Sequence, residues 1–334
     1  MRKYAVVFVH GLAKKPPPDK LEEIWRWGLE RTDAPPPFDG INPGIDLDTK
    51  GVPGVFNYYA DVFYGEDYEA EFDSYYEAER QVVIGTENLD EVAGDLAEPQ
   101  PITEEERAFL VGMEAEMQAA AAASPPDPGI AADAPIARQP GELEIASWLP
   151  TPAKAFIIKK AAMEAYYFLF DKRYASPGGG KEYQVREELR NRLLADMTQA
   201  LGNAEKLVLV THSMGTMVAY DVLRNHPDCP PVDVLFTLGS PLGITEVQEQ
   251  LRAPATKTID FPARLRRWIN VYDPLDPVCG LDPKLSNDYS PTEGRSVEDV
   301  RESNWGSWRH TITHYFAGKR FRGLFAEAIG ADLP

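Results

Sequence analysis

Residues 206–220 read KLVLVTHSMGTMVAY, and this stretch decides the fold. Leu207, Val208, Leu209 and Val210 form an uninterrupted apolar run, the pattern of a strand buried on both faces of a parallel sheet. From Thr216 to Leu223 the pattern changes to that of a helix packed on one side. Ser213 lies between the two, on a sharp turn. Such a turn strains the serine backbone, lifts its Oγ to the C-terminal edge of the sheet and aims the next N–H groups at the same space. A small residue is expected at Gly215, because a side chain two positions after the serine would collide with the turn.

This pattern resembles the nucleophile elbow of the α/β-hydrolase family, written G-x-S-x-G, with Thr211 standing where the first glycine usually stands. The resemblance implies an α/β chain of the α/β-hydrolase fold: a mostly parallel central sheet flanked by helices. Residues 4–9 (YAVVFV) read as a strand that ends in His10-Gly11-Leu12, similar to the oxyanion-hole loop of lipases and esterases. The resemblance makes the N–H groups of Leu12 and Met214 the oxyanion donors and gives His10 the structural task of holding the loop. Residues 268–272 (WINVY) read as another strand, closed by Asp273-Pro274-Leu275-Asp276-Pro277-Val278. There the family places its histidine-orienting carboxylate. The D-P-V pattern points to Asp276, with Asp273 as the alternative, whose other role is to cap the turn before proline. Residues 299–316 carry His310 and His314. The bacterial hydrolases this chain resembles commonly end with a histidine five residues before a tyrosine, a spacing that His310 and Tyr315 reproduce. His310 is therefore the expected base and His314 the alternative.

Ser213, Asp276 and His310 follow one another in the Ser…Asp…His order of this family. The implied chemistry is acyl transfer on a small-molecule or lipid ester, through an acyl-enzyme and without metal or organic cofactor. No Cys/His metal spacing, P-loop or dinucleotide fingerprint occurs in the sequence. A lipase acting on lipid surfaces, an acyltransferase or peptidase using the same three residues, and a non-catalytic binding protein of this fold are the alternatives. The pattern specifies neither acyl chain, alcohol nor oligomeric state.

The rest of the chain reads outward from this frame. Residues 16–19 are a loop and 21–29, with Trp25, a helix; residues 35–53 are irregular and rich in Pro and Gly. Residues 55–64 (VFNYYADVFY) read as a strand with its flanks. Thr103 starts a helix as N-cap with an acidic first turn, running to about Ala123. Residues 124–141, dominated by Pro, Ala, Asp and Gly, are expected to be a mobile loop. Residues 153–170 form an unusually apolar helix and 183–200 an amphipathic one. Residues 232–238 are a buried strand closed by Gly239-Ser240-Pro241-Leu242-Gly243, a TLGSPLG run that shapes the pocket in lipase-like members. Residues 316–329 form a C-terminal helix. Residues 1–65 and 181–334 make the core, and 66–180 a mainly helical cap whose 153–170 helix either lines an acyl pocket or is ordinary core.

A net charge of −19 over 334 residues disfavours nucleic acid and anionic membrane surfaces, which repel an acidic protein. Two cysteines, Cys229 and Cys279, make no disulfide framework. No signal peptide and no membrane-spanning run is legible, so a cytoplasmic location without stable membrane insertion is expected.

Overall fold

β1 (Arg2–Val9) is buried on both faces in the computed structural model of the chain: Ala5, Val7 and Val9 enter one core, Val6 and Phe8 the other. The structure describes residues 2–11, 13–32, 43–65, 96–123, 151–177, 181–252, 258–305 and 308–331, with the backbone alone at 151–153. Side chains alternate with a period of two along a strand, so burial of every position requires cover on both faces. β5 (Ala204–His212) repeats the pattern, with Leu207 and Leu209 opposite Val208 and Val210.

Six strands run parallel in the order β2-β1-β5-β6-β7-β8, adding β2 (Gly54–Asn57), β6 (Val232–Leu238), β7 (Leu265–Tyr272) and β8 (Val297–Arg301). The register aligns Phe8, Val210, Phe236 and Ile269 in one apolar row across the sheet. This is an α/β fold. One face is covered by α1 (Pro18–Glu30), α8 (Ile312–Ala317) and α9 (Lys319–Ala328), through Leu21, Trp25, Phe316, Phe321 and Phe325. The other carries α5 (Val185–Leu201) and α6 (Met214–Asn225), which bring Leu189, Leu193, Met217 and Val218 to the core. These two helices are also tied by charge. Fully buried Asp221 is gripped by Arg186 and Arg190 and accepts a hydrogen bond from Asn225. Burial alone would raise its carboxyl; the two guanidiniums outweigh burial and hold it below the usual range.

Within residues 66–180 lie α3 (Glu104–Ala123), α4 (Thr151–Leu169) and β3 (Arg173–Ala175), which pairs antiparallel with β4 (Glu182–Gln184). Thr103 caps α3 as expected: its Oγ1 accepts the Glu106 N–H at 3.1 Å, while Glu106 reaches back to the Ile102 N–H at 2.8 Å. α3 and α4 pack on each other. The stretches 66–95, 124–150 and 178–180, which include the expected mobile loop, fall outside the described residues.

Three readings of the sequence change, and one strand had none. Helix α1 starts at Pro18, inside the expected loop, because proline fits the first turn of a helix, where no N–H is needed. Residues 55–64 are not one strand: β2 stops at Asn57 and α2 (Ala60–Tyr64) follows. The N–H of Tyr59, which would extend the ladder, donates instead to His10 Nε2 at 3.0 Å. The C-terminal helix is two helices parted at Gly318, because the Glu302 carboxylate accepts the N–H groups of Arg320 and Phe321 and so caps a second start. β8, assigned no element from the sequence, is an edge strand; its Glu298 pairs with Arg267 of β7, and charge on an edge strand blocks further pairing.

Candidate active site

The strand order reverses direction between β1 and β5: from β1 the chain goes to β2 on one side, then to β5 on the other. Parallel sheets bind ligands in the crevice at the C-terminal ends of strands flanking such a switch. Both segments singled out in the sequence leave the sheet there, His10-Gly11 after β1 and Ser213 after β5.

Ser213 has φ +55° and ψ −128°, a conformation that costs a non-glycine residue about 1–3 kcal/mol. It is fully buried. Thr211 needs no glycine geometry, since it is still part of β5 and its Oγ1 donates to the Phe236 carbonyl at 2.7 Å. Gly215 is required for a reason different from the one expected. A Cβ there would meet the backbone of β1's end, 2.4 Å from the His10 oxygen, rather than the turn itself. Thr216 Oγ1 donates to the Ser213 carbonyl at 2.6 Å, so the Ser240 hydroxyl must donate to it across their 2.8 Å contact. The 239–243 loop is thereby fixed to the serine turn.

Asp276 and His310 meet. His310 Nδ1 lies 2.9 Å and 3.0 Å from the two carboxylate oxygens, and both residues are buried. Burial alone would raise the Asp276 carboxyl; the His310 charge and hydrogen bond, the Tyr315 hydroxyl at 2.7 Å and the Val278 N–H at 2.9 Å overcome it and hold the group low. An ionised carboxylate only accepts, so Nδ1 carries a proton, and whenever the imidazole is neutral the lone pair is on Nε2. Gly239, at φ +56°, passes directly over the pair: a Cβ would stand 2.8 Å from Asp276 Oδ2 and 3.0 Å from His310 Nδ1.

Asp273 and His314 are placed otherwise. Asp273 accepts the N–H groups of Leu275 and Asn304, the turn-capping role, and burial raises its carboxyl despite these donors and Arg309. His314 packs its ring 3.8 Å from that of Trp305. Sequence reasoning gave no role to His212, whose ring stacks 4.4 Å from that of His310 and whose Nε2 donates to the His310 carbonyl at 2.9 Å. Only the fold brings the two together. Tyr315 was visible as a spacing but not as a donor to Asp276. Tyr315→Phe should destabilise the protein by about 2 kcal/mol in urea unfolding, because the hydroxyl also accepts the buried Asp273 N–H at 3.2 Å. A change near zero would show that neither bond contributes.

On the β1 side, His10 Nε2 accepts from Tyr59, so Nδ1 carries its proton and donates to the Gly11 carbonyl at 2.7 Å. The Tyr59 hydroxyl returns a bond to the His10 carbonyl at 2.6 Å. His10 thus holds the loop. A Cβ on Gly11 would come within 2.6 Å of Ser213 Cβ and 3.2 Å of its Oγ. Leu12, the expected first oxyanion donor, lies outside the described residues. Met214, the expected second, is the first residue of α6, so its N–H has no partner within the helix and sits at the positive end of the dipole.

Ser213 Oγ and His310 Nε2 are both buried without a hydrogen-bond partner. A serine hydroxyl and an imidazole nitrogen are thus left unpartnered in the buried region at the C-terminal ends of the strands. An open depression of about 700 Å3 lined by Arg2, Arg26, Asp48 and Asn203 lies at the opposite, N-terminal ends of the strands and takes no part in this constellation. Among the described residues no group of three or more His, Cys, Asp or Glu could hold a metal ion, and no helix is long and apolar enough to cross a membrane. The chain matches no protein-family model and no curated protein.

Proposed function

We propose that the chain is a serine hydrolase of the α/β-hydrolase type that cleaves carboxylic esters. The observation that carries this reading is the Asp276–His310 pair, which leaves Nε2 as an unpartnered acceptor at the same sheet edge as the strained, unpartnered Ser213.

In the proposed reaction Ser213 Oγ attacks the ester carbonyl while its proton passes to His310 Nε2. The imidazolium so formed is stabilised by Asp276 and then gives the proton to the leaving alkoxide. Water, deprotonated by the same nitrogen, then attacks the acyl-serine, and the imidazolium returns the proton to Ser213 Oγ as the acid leaves. The Met214 N–H, with that of Leu12, would hold the oxyanion; each such donor contributes on the order of 3 kcal/mol to lowering the barrier. Oγ and Nε2 make no hydrogen bond in the free protein, and the bond between them would form as substrate binds. Full burial of Ser213 supports a cap over the site, with α3 and α4 as its helical part.

A fluorophosphonate probe tests this directly. Mass spectrometry should find one adduct per chain, on Ser213, with labelling lost in Ser213→Ala and slowed at least 100-fold in His310→Gln, in line with the usual cost of losing a general base. A folded protein that takes no label, or takes it elsewhere, would contradict the reading.

A further inference from the structure

Helix α4 contains a single acidic residue, Glu164, and it is only 1% exposed. A carboxyl in apolar surroundings is unfavourable unless donors satisfy it. Glu164 has two on one oxygen: the Ala13 N–H and the Tyr64 hydroxyl each reach Oε1 at 2.6 Å. Lys15 and Lys160, both buried, add favourable charge. Burial still dominates and pushes the carboxyl up to about 7. Charged or neutral, Oε1 has lone pairs for both donors.

The residue so held is strained. Ala13 has φ +71°, in the left-handed region that residues other than glycine avoid. Two residues before it, Gly11 lies against Ser213, and the other flank of this loop is gripped by His10 and Tyr59. A loop placed this closely over a nucleophile has little tolerance, because a displacement of about 1 Å can cost on the order of 100-fold in rate.

We propose that Glu164 is a positioning residue for acyl transfer: it pins Ala13 in its strained conformation and so keeps the loop leaving β1 at the spacing from Ser213 that oxyanion stabilisation needs. This role rests on Ser213 being the nucleophile. It also links the helix that would cap the site to the loop that would complete it.

The test compares wild type, Glu164→Gln and Glu164→Leu on a p-nitrophenyl ester, with kcat expressed per site titrated by fluorophosphonate so that misfolded protein does not count, and Ser213→Ala, which has no titratable site, giving the background rate per mole of protein. Glutamine retains the accepting oxygen; leucine has similar bulk without it. Glu164→Leu should lose about 100-fold in kcat with KM changed less than about threefold, and Glu164→Gln should stay within about threefold of wild type. If Glu164→Leu fails to fold, Glu164→Asp, which withdraws the acceptor by one methylene, should show the same split. Leucine or aspartate variants with wild-type kcat per site would overturn the positioning role while leaving the nucleophile intact. A wild type without Ser213-dependent turnover would overturn the underlying reading, and the positioning role with it.

Discussion

Asp276→Asn is expected to lower kcat for ester hydrolysis by about 10⁴-fold while the protein stays folded and KM changes little. The asparagine amide would present N–H groups to His310 Nδ1, which now sits 2.9 Å from a carboxylate oxygen. Imidazole would then have to accept at Nδ1 and carry its proton on Nε2, the wrong tautomer for taking a proton from Ser213. With nitrogen in the Oδ2 position, the Val278 N–H keeps its oxygen at Oδ1, while the Tyr315 hydroxyl, which donates to Oδ2, must turn and accept from the amide, so the loop should hold. Asp273→Asn should behave differently. Its carboxyl accepts the N–H groups of Leu275 and Asn304 and makes no bond to His310, so its loss should cost stability and leave kcat within about tenfold, the scale expected for a group that does not touch the base. Steady-state kinetics of the two variants side by side separate the roles; equal losses in kcat would contradict the assignment.

Gly215→Ala should destabilise the protein by about 3 kcal/mol, against the roughly 1 kcal/mol that alanine gains over glycine inside a helix. The sign is set by what the new methyl meets. It would lie 2.4 Å from the His10 carbonyl oxygen and 2.8 Å from that of Val9, and these are backbone atoms at the end of a central strand that cannot swing aside. Relief requires β1 and the serine turn to separate, which also moves Gly11 away from Ser213. Urea unfolding and ester turnover should therefore fall together. A variant as stable as wild type would show that the turn does not depend on close approach of the two strand ends.

The sheet was legible because its strands are nearly pure apolar runs, and residues 207–210 and 232–238 can hardly be anything else. β8 was not, because an edge strand gains from charge what a central strand gains from valine. The break at Gly318 depends on Glu302, a partner 16 residues upstream that no local pattern names. In the site, the serine turn and the order of acid and histidine were visible in short motifs. The choice of Asp276 over Asp273 is a matter of which carboxylate the fold aims at His310, and both sit in the same Asp-Pro repeat. His212 and Glu164 carried no readable signal, since each acts on a residue about 100 to 150 positions away.

The most direct measurement is release of p-nitrophenol from a series of acyl esters, short to long, by wild type and Ser213→Ala in parallel. Turnover by wild type that falls to the uncatalysed rate in Ser213→Ala, with a chain-length optimum that sizes the pocket, is the predicted result. Equal release by the two proteins across the whole series would contradict a nucleophilic role for Ser213.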